Sequence, residues 1–230
     1  VKSVLILQHV PVEGPGLIAK ALDERHIPWQ LRNLLEEADP QLPDLQRLAG
    51  VVLMGGPMDA GDTTSYPALA LEALLVREAI AAELPVLGVC LGHQIIALAL
   101  GAQIDYAATR EIGLGALNAG AELALLDGLE VLHWHTDNVG LPAGATPLAS
   151  TSECAYQALR YRSALGLQFH LELDQELLQQ WLAAGMDQDL EPGQAAALLA
   201  EFVRTAAPRE AAAAQVFGDF ATAVQLVMDN

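Results

Sequence analysis

Apolar residues in this chain fall into short, nearly continuous runs separated by longer stretches with helical spacing. Ser3 to Gln8, Trp29 to Asn33 and Gly50 to Met54 read as strands, with Gly16 to His26 and Tyr66 to Ala82 as helices between them. Pro85 to Val89 and the apolar helix Ile95 to Leu100 repeat the unit. Short apolar runs bounded by turn residues fit strands buried on both faces, and their alternation with amphipathic helices predicts an α/β fold with a mostly parallel central sheet flanked by helices. After about residue 174 the pattern becomes helical, over Gln175 to Ala184, Pro192 to Arg204 and Pro208 to Met228, broken by Gly and Pro. The chain is therefore divided into an α/β domain over residues 1–184 and a helical C-terminal extension over 185–230, expected to pack on the same domain through its apolar faces.

Leu84 to Ala102 is apolar enough to raise the question of a membrane span, but Pro85, three glycines, His93 and Gln94 oppose it, and no other segment reads as a candidate. No internal repeat or long linker interrupts the pattern. At 230 residues and 53% hydrophobic, the chain has enough apolar side chains for a substantial core.

Chemistry concentrates at the strand ends. Cys90 lies between Gly88 and Gly92, at the junction of the strand ending at Val89 and the helix that follows. Small residues two places before and after allow the tight strand-to-helix turn that exposes a nucleophile, and a helix start favours a thiolate. The competing reading is a small buried hydrophobe, since free cysteine is often buried. A second apolar run, from Ala164, ends in His170 and Glu172, which strand periodicity places on one face. Glu172 is then placed to hold one imidazole nitrogen while the other faces a thiol. A third, Gly50 to Met54, ends in Gly55-Gly56-Pro57, where backbone N–H groups approach a ligand closely enough to stabilise an oxyanion. As isolated features, the last two are ordinary turns.

Net charge is −18, with two lysines, which opposes direct binding to nucleic acid, a polyanion gripped by cationic side chains. Two cysteines, Cys90 and Cys154, without a Cys-x-x-Cys pair or a signal-peptide pattern, make a reducing cytoplasm the expected location. His133, His135 and Asp137 are spaced closely enough to suggest metal ligands, but no fourth ligand has recognisable spacing. Gly14-Pro15-Gly16 and Gly113-Leu-Gly115 lack the strand-to-helix context of phosphate loops.

Gly55-Gly56-Pro57, Gly88-Val-Cys90-Leu-Gly92-His-Gln94, Arg110-Glu111-Ile-Gly113, His135-Thr-Asp137 and Gln168-Phe-His170-Leu-Glu172, in this order, resemble the motifs of the class I (triad) glutamine amidotransferases. The match is to the amidotransferase portion of GMP synthase and its stand-alone relatives, over roughly residues 1 to 180. The resemblance implies a flavodoxin-like sheet and a Cys-His-Glu triad: Cys90 as nucleophile, His170 as general base and then acid, and Glu172 orienting His170. It implies oxyanion N–H groups from Gly56 and Leu91, and substrate contacts from Gln94 and from the His135, Thr136 and Asp137 turn. Leu171 departs from the family's usual His-Pro-Glu, which bears on local rigidity rather than on chemistry. The implied reaction is hydrolysis of the side-chain amide of glutamine through a thioester, with ammonia released and neither metal nor organic cofactor required. The expected partner is a small-molecule substrate, glutamine or a γ-glutamyl compound, and the chain either works independently or delivers ammonia to a separate synthase, with no nucleic acid and no membrane. A γ-glutamyl peptidase or hydrolase acting on a small γ-glutamyl compound uses the same groups. A catalytically quiet regulatory protein retains only the fold.

Overall fold

The alternating pattern folds as β1 (Ser3–Leu7), α1 (Gly16–Asp23), β2 (Trp29–Arg32), β3 (Leu48–Leu53), α2 (Ala68–Ala81), β4 (Val86–Val89) and α3 (Leu91–Ala99), in a computed structural model that describes residues 2–229. A stretch of short strands follows: β5 (Ile104–Asp105), β6 (Glu111–Ala116), β7 (Asn118–Ala119), β8 (Glu130–His135), β9 (Asn138–Val139), β10 (Thr146–Ser150) and β11 (Ala158–Tyr161). The chain then returns to the sheet centre in β12 (Ala164–Leu167) and ends in α4 (Gln175–Ala183), α5 (Gln194–Arg204) and α6 (Ala206–Asp229).

Eight strands form the main sheet in the order β2-β1-β3-β4-β12-β11-β10-β7. Pairing is parallel from β2 to β12 and antiparallel from β12 to β7. Every residue of β3, β4 and β12 is buried, as expected for parallel strands covered on both faces. Within β1 the side chains alternate: Val4 and Ile6 join the core beneath α1 and α6, whereas Leu5 and Leu7 join the one beneath α2 and α3. Edge strand β2 is partly exposed and carries Gln30 and Arg32, polar groups that discourage further strand pairing.

Two features of this framework set the site. The register pairs Leu167 of β12 with Val89 of β4, so Cys90 and the segment from Gln168 onward leave the sheet side by side at its carboxyl edge. A separate two-stranded antiparallel sheet, β6 with β8, lies against that edge, where Leu132 bridges His170.

Helix α6 corrects one expectation from the sequence: among the described residues it, and not Leu84 to Ala102, is long and apolar enough to cross a membrane by length and composition. In this fold Leu84 to Ala102 is divided between β4 and α3. The apolar face of α6, including Ala213, Val216, Phe217, Ala221 and Val224, is buried in the core with Val4, Ile6 and Val52. Burial of Phe217 has a measurable consequence. Phe217→Ala should lower unfolding stability by ~3–5 kcal/mol, seen as a reduced urea midpoint at unchanged slope. A loss below ~1 kcal/mol would show that α6 is not part of the core.

Candidate active site

Cys90 adopts φ +51° and ψ −105°, a conformation that L residues avoid at a cost of ~1–3 kcal/mol. Neighbouring strand ends hold it there. Its N–H donates to Leu167 O at 2.8 Å, the Gly92 N–H to Met54 O at 3.2 Å, and the Gln94 N–H to Cys90 O at 3.1 Å. A Cβ on Gly88 would fall 2.4 Å from Gly92 O, and one on Gly92 would fall 2.1 Å from Leu53 O, so neither position accepts a larger residue. α3 begins directly at Leu91, earlier than the apolar run alone indicated. Among the described residues the Leu91 and Gly56 N–H groups meet no acceptor, and Gly56 lines the cavity with Cys90.

His170 and Glu172 lie beyond the end of β12, so regular strand periodicity does not carry them as the sequence suggested. Their shared orientation comes from an irregular segment pinned on both sides: the His170 N–H donates to Leu132 O at 2.8 Å, and Glu172 O accepts from the Leu17 N–H at 2.8 Å. His170 Nδ1 donates to Glu172 Oε1 at 2.8 Å, with both side chains buried. The edge of Trp181 packs against the imidazole, ring centroids 4.8 Å apart at 86°. Burial opposes the charged ring, but Glu172 and Cys90 outweigh it and hold the imidazole pKa well above its ordinary range. Cys90 Sγ donates to Trp134 O at 3.8 Å.

These groups open onto a cavity of about 250 Å³, smaller than the ~300–1,000 Å³ of sites for drug-sized ligands. Gln94, His135, Thr136 and Asp137 all line it. Gln94 Nε2 donates to Gln168 Oε1 at 3.2 Å, His135 Nδ1 donates to Asp137 O at 3.0 Å, and the Asp137 carboxylate accepts from the Ala107 N–H at 2.8 Å. His135 closes β8 rather than sitting in a turn. Met186 and Asp189 complete the wall, so residues after 184 belong to the site. Asp189 Oδ2 accepts from Trp134 Nε1 at 3.0 Å.

His133, His135 and Asp137 do not converge as metal ligands. His133 Nε2 turns to Gly115 O at 3.2 Å, and burial lowers its pKa to about 4. The group that does converge is Glu111, His135 and Cys154, whose ligand atoms lie within 4.8 Å of one another. Gln157 Nε2 already occupies that space, donating to Glu111 Oε2 at 2.7 Å and lying 3.2 Å from His135 Nε2.

Several site residues escaped the sequence reading. His9 Nδ1 lies 2.9 Å from Gly55 O and its Nε2 2.9 Å from Glu72 Oε2. Burial opposes a charged ring here, but the Glu72 hydrogen bond and charge outweigh it and raise the imidazole pKa. The ring thereby pins the Gly55-Gly56 turn. Glu13 lines the cavity, and its carboxyl pKa is raised to about 7 by burial and by Glu172, against the pull of His170 and His9. Trp181 Nε1 donates to Val12 O at 2.8 Å and ties this loop to the His170 ring. The signal for His9 and Glu13 was their place just past a parallel strand's carboxyl end, where such sheets carry their sites.

Comparison with known proteins agrees with this architecture. The family model for glutamine amidotransferase class-I matches residues 16–185, and the chain belongs to that family. It is 32% identical to the glutamine amidotransferase-like protein YfeJ of Salmonella typhimurium over 184 residues, 74% of this chain and 76% of that one. It is 32% identical to a glutamine-hydrolyzing GMP synthase subunit of Methanopyrus kandleri over 173 residues, 68% of this chain and 82% of that one. The crystal structure of a glutamine amidotransferase from Thermotoga maritima superposes with a TM-score of 0.86 at 27% identity, covering 96% of this chain and 98% of that one. As expected from the sequence, the chain has a class I amidotransferase fold with a helical C-terminal segment.

Glu13 has a thermodynamic signature. An acid whose pKa rises from 4.5 unfolded to about 7 folded binds its proton more tightly in the native state, so it costs stability as pH rises from about 4.5 to 7. At 1.36 kcal/mol per unit the full cost is on the order of 3 kcal/mol. Glu13→Gln should therefore be more stable than wild type to urea at pH 8, with the difference shrinking toward pH 4.5. Equal stability gaps at both pH values would refute the raised pKa.

Proposed function

We propose that the chain hydrolyses the side-chain amide of glutamine and that ammonia passes to a separate synthase. The observation that carries this reading is the placement of the strained Cys90 at one cavity with His170, whose Nδ1 is held 2.8 Å from Glu172. Family membership supports amidotransferase chemistry in general. Similarity to the glutamine-hydrolyzing GMP synthase subunit of Methanopyrus kandleri supports a partner that takes the ammonia.

In this reading His170 takes the Cys90 thiol proton as Sγ attacks the carboxamide carbon, and the oxyanion is met by the N–H groups of Gly56 and Leu91. His170, oriented by Glu172, donates a proton to the departing nitrogen as the C–N bond breaks, leaving a thioester on Cys90. His170 then takes a proton from water, whose attack releases glutamate and restores the thiol. His9 and Glu72 act indirectly, holding the Gly55 carbonyl so that the Gly56 N–H stays aimed at the cavity. Gln94, His135, Thr136 and Asp137 enclose the amino-acid end of the substrate. The alternative of a γ-glutamyl peptidase uses the same groups and differs in the leaving amine.

Single-turnover ammonia release from glutamine tests the assignment. Cys90→Ala should abolish it and His170→Ala should slow it by ~10³-fold or more, whereas Glu172→Gln keeps part of the orienting hydrogen bond and loses less. Undiminished acylation in His170→Ala would remove the proposed base. Faster release from γ-glutamyl dipeptides than from glutamine would favour the peptidase reading.

A further inference from the structure

The reaction described above leaves Glu13 without a part. The residue is 6% exposed, it lines the cavity with Cys90 and His170, and its side chain makes no hydrogen bond to any described residue. A buried carboxyl without donors costs free energy unless something supplies them. The loop does not let it turn away. Gln8 Nε2 donates to Val10 O at 2.8 Å and Pro11 O at 2.9 Å, Asn33 Nδ2 to His9 O at 3.1 Å, and Trp181 Nε1 to Val12 O at 2.8 Å. A Cβ on Gly55 would fall 2.0 Å from Glu13 Oε2 and 3.3 Å from His170 Cε1, so the carboxyl fills the space that Gly55 leaves and faces the imidazole edge.

The two sides of Cys90 are chemically different. Gln94 comes from α3 on one face of the sheet, while Glu13 comes from the loop before α1 on the other. In the glutamine-hydrolysis reading, with the amino-acid end of the substrate held by Gln94 and the His135 to Asp137 segment, the nitrogen of the scissile amide would lie toward His170 and Glu13.

We propose that Glu13 forms the subsite for the leaving amine: its carboxylate accepts hydrogen bonds from the N–H groups of the scissile carboxamide and holds the released ammonia beside His170. This deepens the glutamine-hydrolysis reading and rests on it. Bond changes are those already given: the C–S bond forms, the C–N bond breaks, and the proton gained by nitrogen comes from His170. Glu13 forms no covalent bond. It selects for a small leaving group that carries N–H donors. The raised pKa is the expected mark of a carboxyl buried beside a second one, with His9, His170 and Glu172 as the charged groups facing it.

The test compares glutamine with the γ-methyl ester of glutamate. Both give the same acyl group on Cys90 and differ in whether the leaving group has N–H donors. In Glu13→Gln the amide-to-ester ratio of kcat/KM should fall by about 10- to 100-fold, the range for losing a hydrogen bond to a charged acceptor. Glu13→Asp, which keeps the charge but withdraws it, should give a smaller fall in the same ratio. An unchanged ratio in both variants, whether both substrates slow equally or neither does, would overturn the subsite. Absence of hydrolysis of either substrate by the wild-type protein would instead overturn the amide-hydrolase reading, and the subsite with it.

Discussion

The left-handed backbone at Cys90 is the constraint on which the site depends. A cysteine at φ +51° persists because the ends of β3, β4 and β12 leave its peptide groups one arrangement: its N–H is taken by Leu167 O and the Gly92 N–H by Met54 O. Backbone hydrogen bonds from buried strands are difficult to exchange for water, so the fold sustains a strain of ~1–3 kcal/mol that an isolated turn would relax. The same arrangement starts α3 directly at Leu91, without a slack residue. Gly88 and Gly92 are the steric conditions for it, since both face backbone oxygen at distances that exclude a Cβ.

Around this turn the protein buries a high density of titratable groups: His9, Glu13, Glu72, His170 and Glu172 are each less than a tenth exposed. They divide into two hydrogen-bonded pairs and one carboxyl left over. His9 with Glu72 braces the Gly55 carbonyl, and His170 with Glu172 fixes which imidazole nitrogen faces the cavity. Buried pairs of this kind contribute little net stability and much orientation. The loop carrying Glu13 is tied at Val12 O by Trp181, which also packs on His170. The small C-terminal helices thereby take part in the site: α4 supplies Trp181, and the turn after it supplies Met186 and Asp189.

The parallel half of the sheet was legible in the sequence because strands buried on both faces show as uninterrupted apolar runs, and Gly88-Val-Cys90-Leu-Gly92 is a local signature. The region between Gly101 and Ser163 was not, since β5, β7 and β9 are two residues long and carry no periodicity. His170 and Glu172 were correctly placed beside each other, but through an irregular segment tied to Leu132 and Leu17 rather than through a strand. Glu13 and His9 were read past because Gly14-Pro15-Gly16 looked like a turn and nothing more. Their significance depends on Gly55, more than forty residues away, and only tertiary contact supplies it. The candidate metal ligands His133, His135 and Asp137 failed for the converse reason: closeness in sequence did not aim their side chains at one point.

The central claim is that Cys90 is a nucleophile aimed at a glutamine side chain. It is tested most directly by peptide mapping after reaction with an electrophilic glutamine analogue. One adduct should form, on Cys90, with Cys154 spared and with protection by excess glutamine. Labelling confined to Cys154, or labelling of Cys90 that glutamine does not slow, would contradict it.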